Sequence, residues 1–571
     1  MQTEGDGRAR TLTELAEAFW DACLLADPVQ GTAIGDGRYN DRLPDLSLDG
    51  RHFLARRFEG LRERVSALDP DQTDPEEPLT HAALLSAIEA RLAILAADAP
   101  SYTVDAMGGP QATFMNIPSF QPLRNHSDGA AMLARWRAMA PWLDELVAAL
   151  RRGLADGQSP VAGSVQRVLD ELDDLLARPT ASWTLLAPVE GQSARWSDEE
   201  WLVFVADLRR AVEEEVRPAF TRYRAFLADE ALTRSRDEAH VGICHLPGGL
   251  ERYARLVRAH TTTERTAEEL HGIGRAEVAR IDEELTAIGA RVLGTASLTE
   301  TLAALREDPS VHFANGDEIV EVAQRSLVRA QEAIPGWFGR LPRARCEVVR
   351  MLPHEERHTT IAYYREPAQD GSRPGRYYVN TYAPETRPRY EAEALAFHEA
   401  VPGHHLQVAV AQELDRLPAF RRHAETTAYV EGWALYTERL ADEMGLYSGD
   451  LDRIGMLSFD AWRACRLVVD TGMHALGWSR QQAIDFMLGH TALAENNIAN
   501  EVDRYIGWPG QALAYKVGQL EILALRREAE AALGSGFDIR RFHDAVLGHG
   551  PLPLATLRVA VTAEMGLPAR P

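Results

Sequence analysis

The chain has 571 residues, 45% of them hydrophobic and 26% charged, with 85 acidic against 61 basic residues and a formal net charge of −24. That is the composition of an ordinary globular protein, long enough for two to four packing units or one large helical body with lobes. The negative balance excludes a general nucleic-acid binder and a protein held to anionic membranes by charge.

The N-terminal stretch MQTEGDGRARTLTELAEAFW has no apolar h-region, and no run of about 18 apolar residues follows it, so neither a signal peptide nor a membrane span is expected. Cys23, Cys244, Cys346 and Cys465 lie far apart with no CxxC pair, which predicts reduced thiols and a cytoplasmic location. Apolar residues at i, i+3, i+4 spacing predict helices over 11–25, 51–68, 78–97, 129–154, 164–176 and 198–227. Pro, Gly and Asp clusters such as DGRYNDRLPD, DPDQTDPEEP and DAMGGPQ separate them. The Gly/Pro-rich VGICHLPGGL, starting at Val241, sets off an N-terminal helical region, 1–240, from a second region, 241–571.

Helices resume over 250–260, 263–289, 298–306 and 318–334. CEVVRM (346–351), TTIAYYR (359–365) and GRYYVNTY (375–382) are rich in β-branched and aromatic residues, and EPAQDGSRPG between the last two predicts a hairpin with a long loop. After Pro388 the chain reads as helix to its end. The expected fold is therefore mostly α, with a small β-ribbon just before a His-rich helix. Such a ribbon either offers backbone hydrogen bonds to an extended substrate or only braces the fold.

The His-rich stretch is FHEAVPGHHLQ, from Phe397 to Gln407. A catalytic zinc takes three protein ligands and keeps one position open, and a Glu beside the first His serves as general base. His398 and Glu399 fit those two roles on a helix of good formers. The second His of the usual signature would stand four positions on, where this chain has Pro402. A Pro there clashes with the His398 carbonyl, so the helix must kink or end, and Gly403 permits an unusual backbone. His404, reached through a bulge or short loop, is favoured as second ligand; His405, seven positions on, is kept as alternative or as a supporting group. Glu431, on the predicted helix 426–440, is the candidate third ligand, with Glu425 and Glu438 as rivals and Glu438 read as a surface pair. Gly432 would let another backbone approach. Zinc is the expected ion, although manganese, iron or cobalt also suit these ligands.

HEAVPGHHLQ, the later EGWALY and RYIGWPGQALAYKVG, the preceding DGSRPGRYYVNT and the near-terminal FHDAVLGHGPLPL resemble the bacterial family called domain of unknown function 885. The resemblance covers about residues 240–555 well and the N-terminal helices loosely. That family is considered similar to helical zinc metallopeptidases, more distantly to oligopeptidases and angiotensin-converting enzyme. The resemblance implies a helical metallopeptidase-like body with a metal at the HExxPGHH site. The insertion between the histidines departs from those enzymes, and dipeptidyl peptidase III tolerates a shorter one. The family's substrates are poorly defined, so no substrate comes with it.

A zinc hydrolase also needs a donor for the oxyanion. NEVDRYIGWPGQALAYKVGQLEIL (500–523) offers Tyr515 or Tyr505 for that role, and Arg504 and Lys516 for a substrate carboxylate. Lys516 is the only lysine in the chain. The competing readings are packing for the tyrosines, an ion pair of Arg504 with Glu501 or Asp503, and codon usage for Lys516. Asn380 and Tyr378, late in the ribbon, are further substrate-contact candidates. HEERH, with His354 and His358, matches HExxH letter for letter but sits between predicted strands and reads as a decoy. His543 is either near the site or a core histidine. The function expected is zinc-dependent hydrolysis of peptide or amide bonds in short substrates. The alternatives are a metal enzyme acting on a non-peptide small molecule in specialised metabolism, and a non-catalytic metal-stabilised scaffold.

Overall fold

Where a polar cap meets an apolar stripe, a helix begins. Ser197, Thr266 and Ser479 each form a capping box with the residue three positions on, Glu200, Glu269 and Gln482. These observations come from a computed structural model that describes residues 3–568 except 72, 192–195, 352–355, 357–359, 369–370, 372 and 424–425, with side chains from residue 11 onward. The predicted helix 198–227 is one rod with two wider π-turns, Ala211–Val216 and Leu227–Ala231. Pro218 lies just after the first of these and has no N–H to give the preceding turn.

Two hydrophobic cores form. Residues between Val104 and Ala231 build one. Residues from Leu12 to Tyr102 join Val241 to Met565 in the other, with Val161 added. The texture change near residue 241 thus marks the return of the chain to the core that holds residues 12–102. Helix Glu76–Ala97 packs there against Gly249–Thr261.

The centre of the larger core is helix Asp450–His474, buried at every residue from Ile454 to His474. Its charges must find partners inside, because an unpaired buried charge is costly. Asp460 takes Lys516 and Arg439, Arg466 takes Glu501, and Asp470 accepts from Tyr253. Among the described residues no helix is long and apolar enough to cross a membrane. The four cysteines are all free thiols.

The β-ribbon is a three-stranded sheet of β1 (Cys346–Arg350), β2 (Ala362–Arg365) and β3 (Gly375–Val379), in the order β1-β3-β2. β2 and β3 form the expected antiparallel hairpin, and β1 lies parallel to β3. Residues 375, 377 and 379 share one face and 376 and 378 the other. Gly375 is pressed against the His405 ring, so the odd face looks toward the His-rich segment. Tyr378 stacks on Tyr363 on the even face, ring centroids 4.7 Å apart. His354 and His358 lie outside the described residues.

Candidate metal centre

The helix that carries His398 runs from Ala392 to Glu399 and stops there. A bend follows, with a cis peptide before Pro402, and a new helix starts at His404 and runs to Gln412. The His405 amide donates to the Ala400 carbonyl at 3.0 Å, which closes the bend. Gly403 has an ordinary negative φ; what it lacks is room. A Cβ at this position would stand 1.9 Å from the His398 carbonyl oxygen and 2.4 Å from that of Phe397. The helix Thr427–Glu443 holds both sides of the bend. Its Trp433 Nε1–H donates to the Pro402 carbonyl at 3.0 Å, and its Thr437 hydroxyl donates to the Phe397 carbonyl at 3.2 Å.

The bend brings His398 and His404 to Glu431 of that helix. One ligand atom from each of the three lies within 4.8 Å of the other two. Glu431 Oε2 stands 3.5 Å from His404 Nε2 and 3.7 Å from His398 Nε2. Both distances are too long for a hydrogen bond, and Oε2 is a buried oxygen with no hydrogen-bond partner. Donors bound to one cation at about 2.1 Å in a tetrahedron stand about 3.4 Å apart. The spacing and the orphaned oxygen therefore fit a divalent cation held by two imidazoles and a carboxylate. The two rings meet edge to face, centroids 4.8 Å apart.

Glu438 completes the surroundings. It is fully buried, not a surface pair, and accepts from His398 Nδ1 at 2.8 Å. That contact fixes the ring so that Nε2 points to the trio, as second-layer carboxylates do for metal-binding histidines. Burial works to push the His398 imidazolium down, but Glu431 and Glu438 outweigh it and lift His398 to about 9. Burial likewise works to raise the Glu431 carboxyl, and the two histidines overcome it, leaving that group well below the carboxylate range. Glu399 ends the first helix half-buried, and among the described residues its carboxylate makes no hydrogen bond or ion pair.

The other sequence candidates divide. His405 stands outside the trio: its Nδ1 is 3.0 Å from the Tyr364 hydroxyl and its Nε2 3.1 Å from the Ala344 carbonyl. Tyr515 stays near, since the Glu431 charge adds to burial in raising its hydroxyl. The Arg466 guanidinium covers its ring at 4.2 Å. Tyr505 is fully engaged elsewhere. Its hydroxyl donates to Glu501 at 2.7 Å and accepts from Trp462 and Arg466, so no proton is left for an oxyanion. Arg504 is paired with Glu501 at 2.9 Å and donates to Gln511, so its fork is not open to a substrate carboxylate. Lys516 is buried, with Nζ 2.6 Å from Asp460 and 3.1 Å from Glu277, and serves as an internal counter-ion. Asn380 donates to the Glu356 and Thr360 carbonyls and accepts from the Tyr382 amide, bracing the ribbon end. Tyr378 faces away, and its neighbour Tyr377 is the one whose hydroxyl feels Glu399, after burial. Strict alternation along β3 could have made that choice. His543 is a core histidine between the Tyr436 hydroxyl and the Trp337 carbonyl. Glu425 lies outside the described residues.

The fold and site together define a large helical protein with a His–His–Glu trio of cation-site geometry, buried at His398 and partly open at His404 and Glu431, at the bend of a broken helix. The chain belongs to the family described as bacterial protein of unknown function (DUF885), whose model matches residues 28–561. It is similar over its whole length to a candidate lipoprotein from Colwellia psychrerythraea of known crystal structure. The two are 25% identical, with 98% of this chain and 99% of that one covered and a TM-score of 0.91. A candidate lipoprotein of unknown function from Shewanella oneidensis shares the fold at 18% identity, with 96% and 99% covered and a TM-score of 0.70. No curated protein matches the chain. The lipoprotein description is theirs, and it lends the cytoplasmic expectation no support.

Proposed function

We propose that the protein is a zinc-dependent hydrolase of peptide or amide bonds in short substrates. The observation that carries this reading is the buried Glu431 oxygen without a hydrogen bond, facing two imidazole nitrogens at 3.5 and 3.7 Å. His398, His404 and Glu431 would hold the ion, which when bound supplies Lewis acidity toward water and a carbonyl oxygen. Glu399 then serves as general base: its carboxylate takes a proton from the attacking water as the C–O bond forms. It returns that proton to the nitrogen as the C–N bond breaks. Glu438 keeps His398 in the tautomer that offers Nε2. The oxyanion-donor role falls to the Tyr515 hydroxyl in this reading, because Tyr505 is committed to Glu501 and the Glu431 charge acts on Tyr515.

The test is metal analysis of the purified protein beside turnover of a short-peptide pool, for wild type, Glu399→Gln and His398→Ala. One zinc per chain is expected in wild type and in the Glu399 variant, with turnover lost in that variant by about 100-fold or more. His398→Ala should lose the metal. Turnover that survives both chelation and Glu399→Gln would overturn the proposal. A metal-bearing protein inactive on peptides but active on other small amides would move the reading to the alternative substrate class.

A further inference from the structure

A cavity of about 80 Å³ lies between β3, the first turns of the His398 helix and helix Gly316–Ala333. A single water needs about 10–15 Å³ by the same measure, so the space suits one side-chain-sized group and not a whole drug-sized ligand. Its wall is mostly apolar, with Leu395, Tyr377, Val379 and Phe313 among the residues that form it. Two features tie it to Glu399. On a helix Ala392, Leu395 and Glu399 fall within an arc of about 60°, and Leu395 to Glu399 is about 6 Å along the axis. Ala392 and Leu395 line the cavity, so the same stripe leads from its wall to the half-buried carboxylate. Tyr377, which also lines the cavity, is the ribbon residue that senses the Glu399 charge.

Several polar groups in the wall are committed. Asn380 is used in bracing the ribbon, and Arg306 donates to the carbonyls of Leu488, Thr491 and Leu493. Glu391 accepts from Ser458 at 3.0 Å. Arg387 differs: its Nε is buried and has no hydrogen-bond acceptor. A buried donor left without a partner is costly, and an oxygen of a bound ligand would satisfy it.

We infer that this cavity is the side-chain pocket of the Glu399 site and takes a bulky apolar group, aromatic and tipped with an oxygen acceptor, from the residue beside the bond to be cleaved. As a substrate pocket it rests on the hydrolase reading; as a binding site it does not. The discriminating experiment is calorimetric titration of the full-length protein with N-acetyl-L-tyrosinamide, N-acetyl-L-phenylalaninamide and N-acetylglycinamide, alongside turnover of the matching dipeptides. Wild type should bind the tyrosine probe about tenfold or more tighter than the glycine probe, a difference of the size that burying a ring can give. Ala494→Trp adds bulk at an exposed position of the cavity rim and should abolish that preference. Arg387→Met should erase the margin of tyrosine over phenylalanine, with thermal melting confirming that both variants fold.

Equal binding of all three probes, or a tyrosine preference untouched by Ala494→Trp, overturns the pocket. Turnover that continues with its selectivity unchanged in that variant sinks the pocket and leaves the hydrolase reading standing. A preference that Ala494→Trp removes, in a protein with neither metal nor turnover, upholds the binding site while the hydrolase reading falls.

Discussion

Glu438→Gln is the sharpest test of the trio as a cation site, because it changes one charge and almost no volume. In wild type the Glu438 carboxylate accepts from His398 Nδ1 at 2.8 Å, and Arg463 stands 3.6 Å from the same oxygen. Loss of such a supporting carboxylate typically weakens metal binding by roughly 10- to 100-fold, about 1.4–2.8 kcal/mol. A second signature follows from protons. Without a cation His398 holds its proton up to about pH 9, because Glu431 and Glu438 overcome burial. A cation must displace that proton, so affinity should climb about tenfold per pH unit up to about pH 9 and level off above it. Glu438→Gln removes one of the two carboxylates, so levelling should begin at a lower pH. Zinc affinity measured against a competing chelator from pH 6 to about pH 10 reads both effects. An affinity within about threefold of wild type, with an unmoved plateau, would refute the reasoning.

Gly403→Ala should cost at least the 1–3 kcal/mol (roughly) of an overpacked core and lower metal content, since its Cβ would sit 1.9 Å from the His398 carbonyl oxygen; an unchanged melting temperature with full metal content would count against the bend. Lys516→Met should destabilise by roughly 3 kcal/mol in urea melts, near the low end for a broken buried pair because Arg439 stays on Asp460 at 2.7 Å. A loss of substrate affinity at unchanged stability would return Lys516 to the site. Asp470 is raised to about 7 by burial, so the folded chain binds its proton more tightly than the unfolded chain does. That contribution is present in acid and is lost as pH rises from about 4 through about 7. Asp470→Asn should therefore gain on wild type by one proton's slope across that window, and a pH-independent difference in unfolding free energy would contradict this.

The features legible in the sequence were local ones. The helix stop at Pro402, the restart at His404 and the Glu on the returning helix all follow from rules that act within a few turns. The hairpin followed from its loop. What stayed hidden was set by partners distant in the chain. Lys516 looked available because nothing near it is acidic, yet its counter-ion Asp460 lies 56 residues upstream. Arg504 and Tyr505 both close on Glu501, a local partner that the sequence offered among several. Glu438 read as a surface charge because helical spacing gives a face but not what covers it. The return of residues 12–102 to the core built by the C-terminal half has no signal in either segment alone.

The bend held by Trp433 and Thr437 also bears on the order of assembly. All three trio residues come from 392–443, and 33 positions separate His398 from Glu431. Closing a loop of that size costs little more entropy than closing one half as long. Both carbonyls that define the bend are bonded to the helix that carries Glu431, so all three donors share one reference element. If that helix shifts, the donors shift with it. The lobe built from residues 104–231 contributes no donor to the trio and neither of the two bonds that hold the bend.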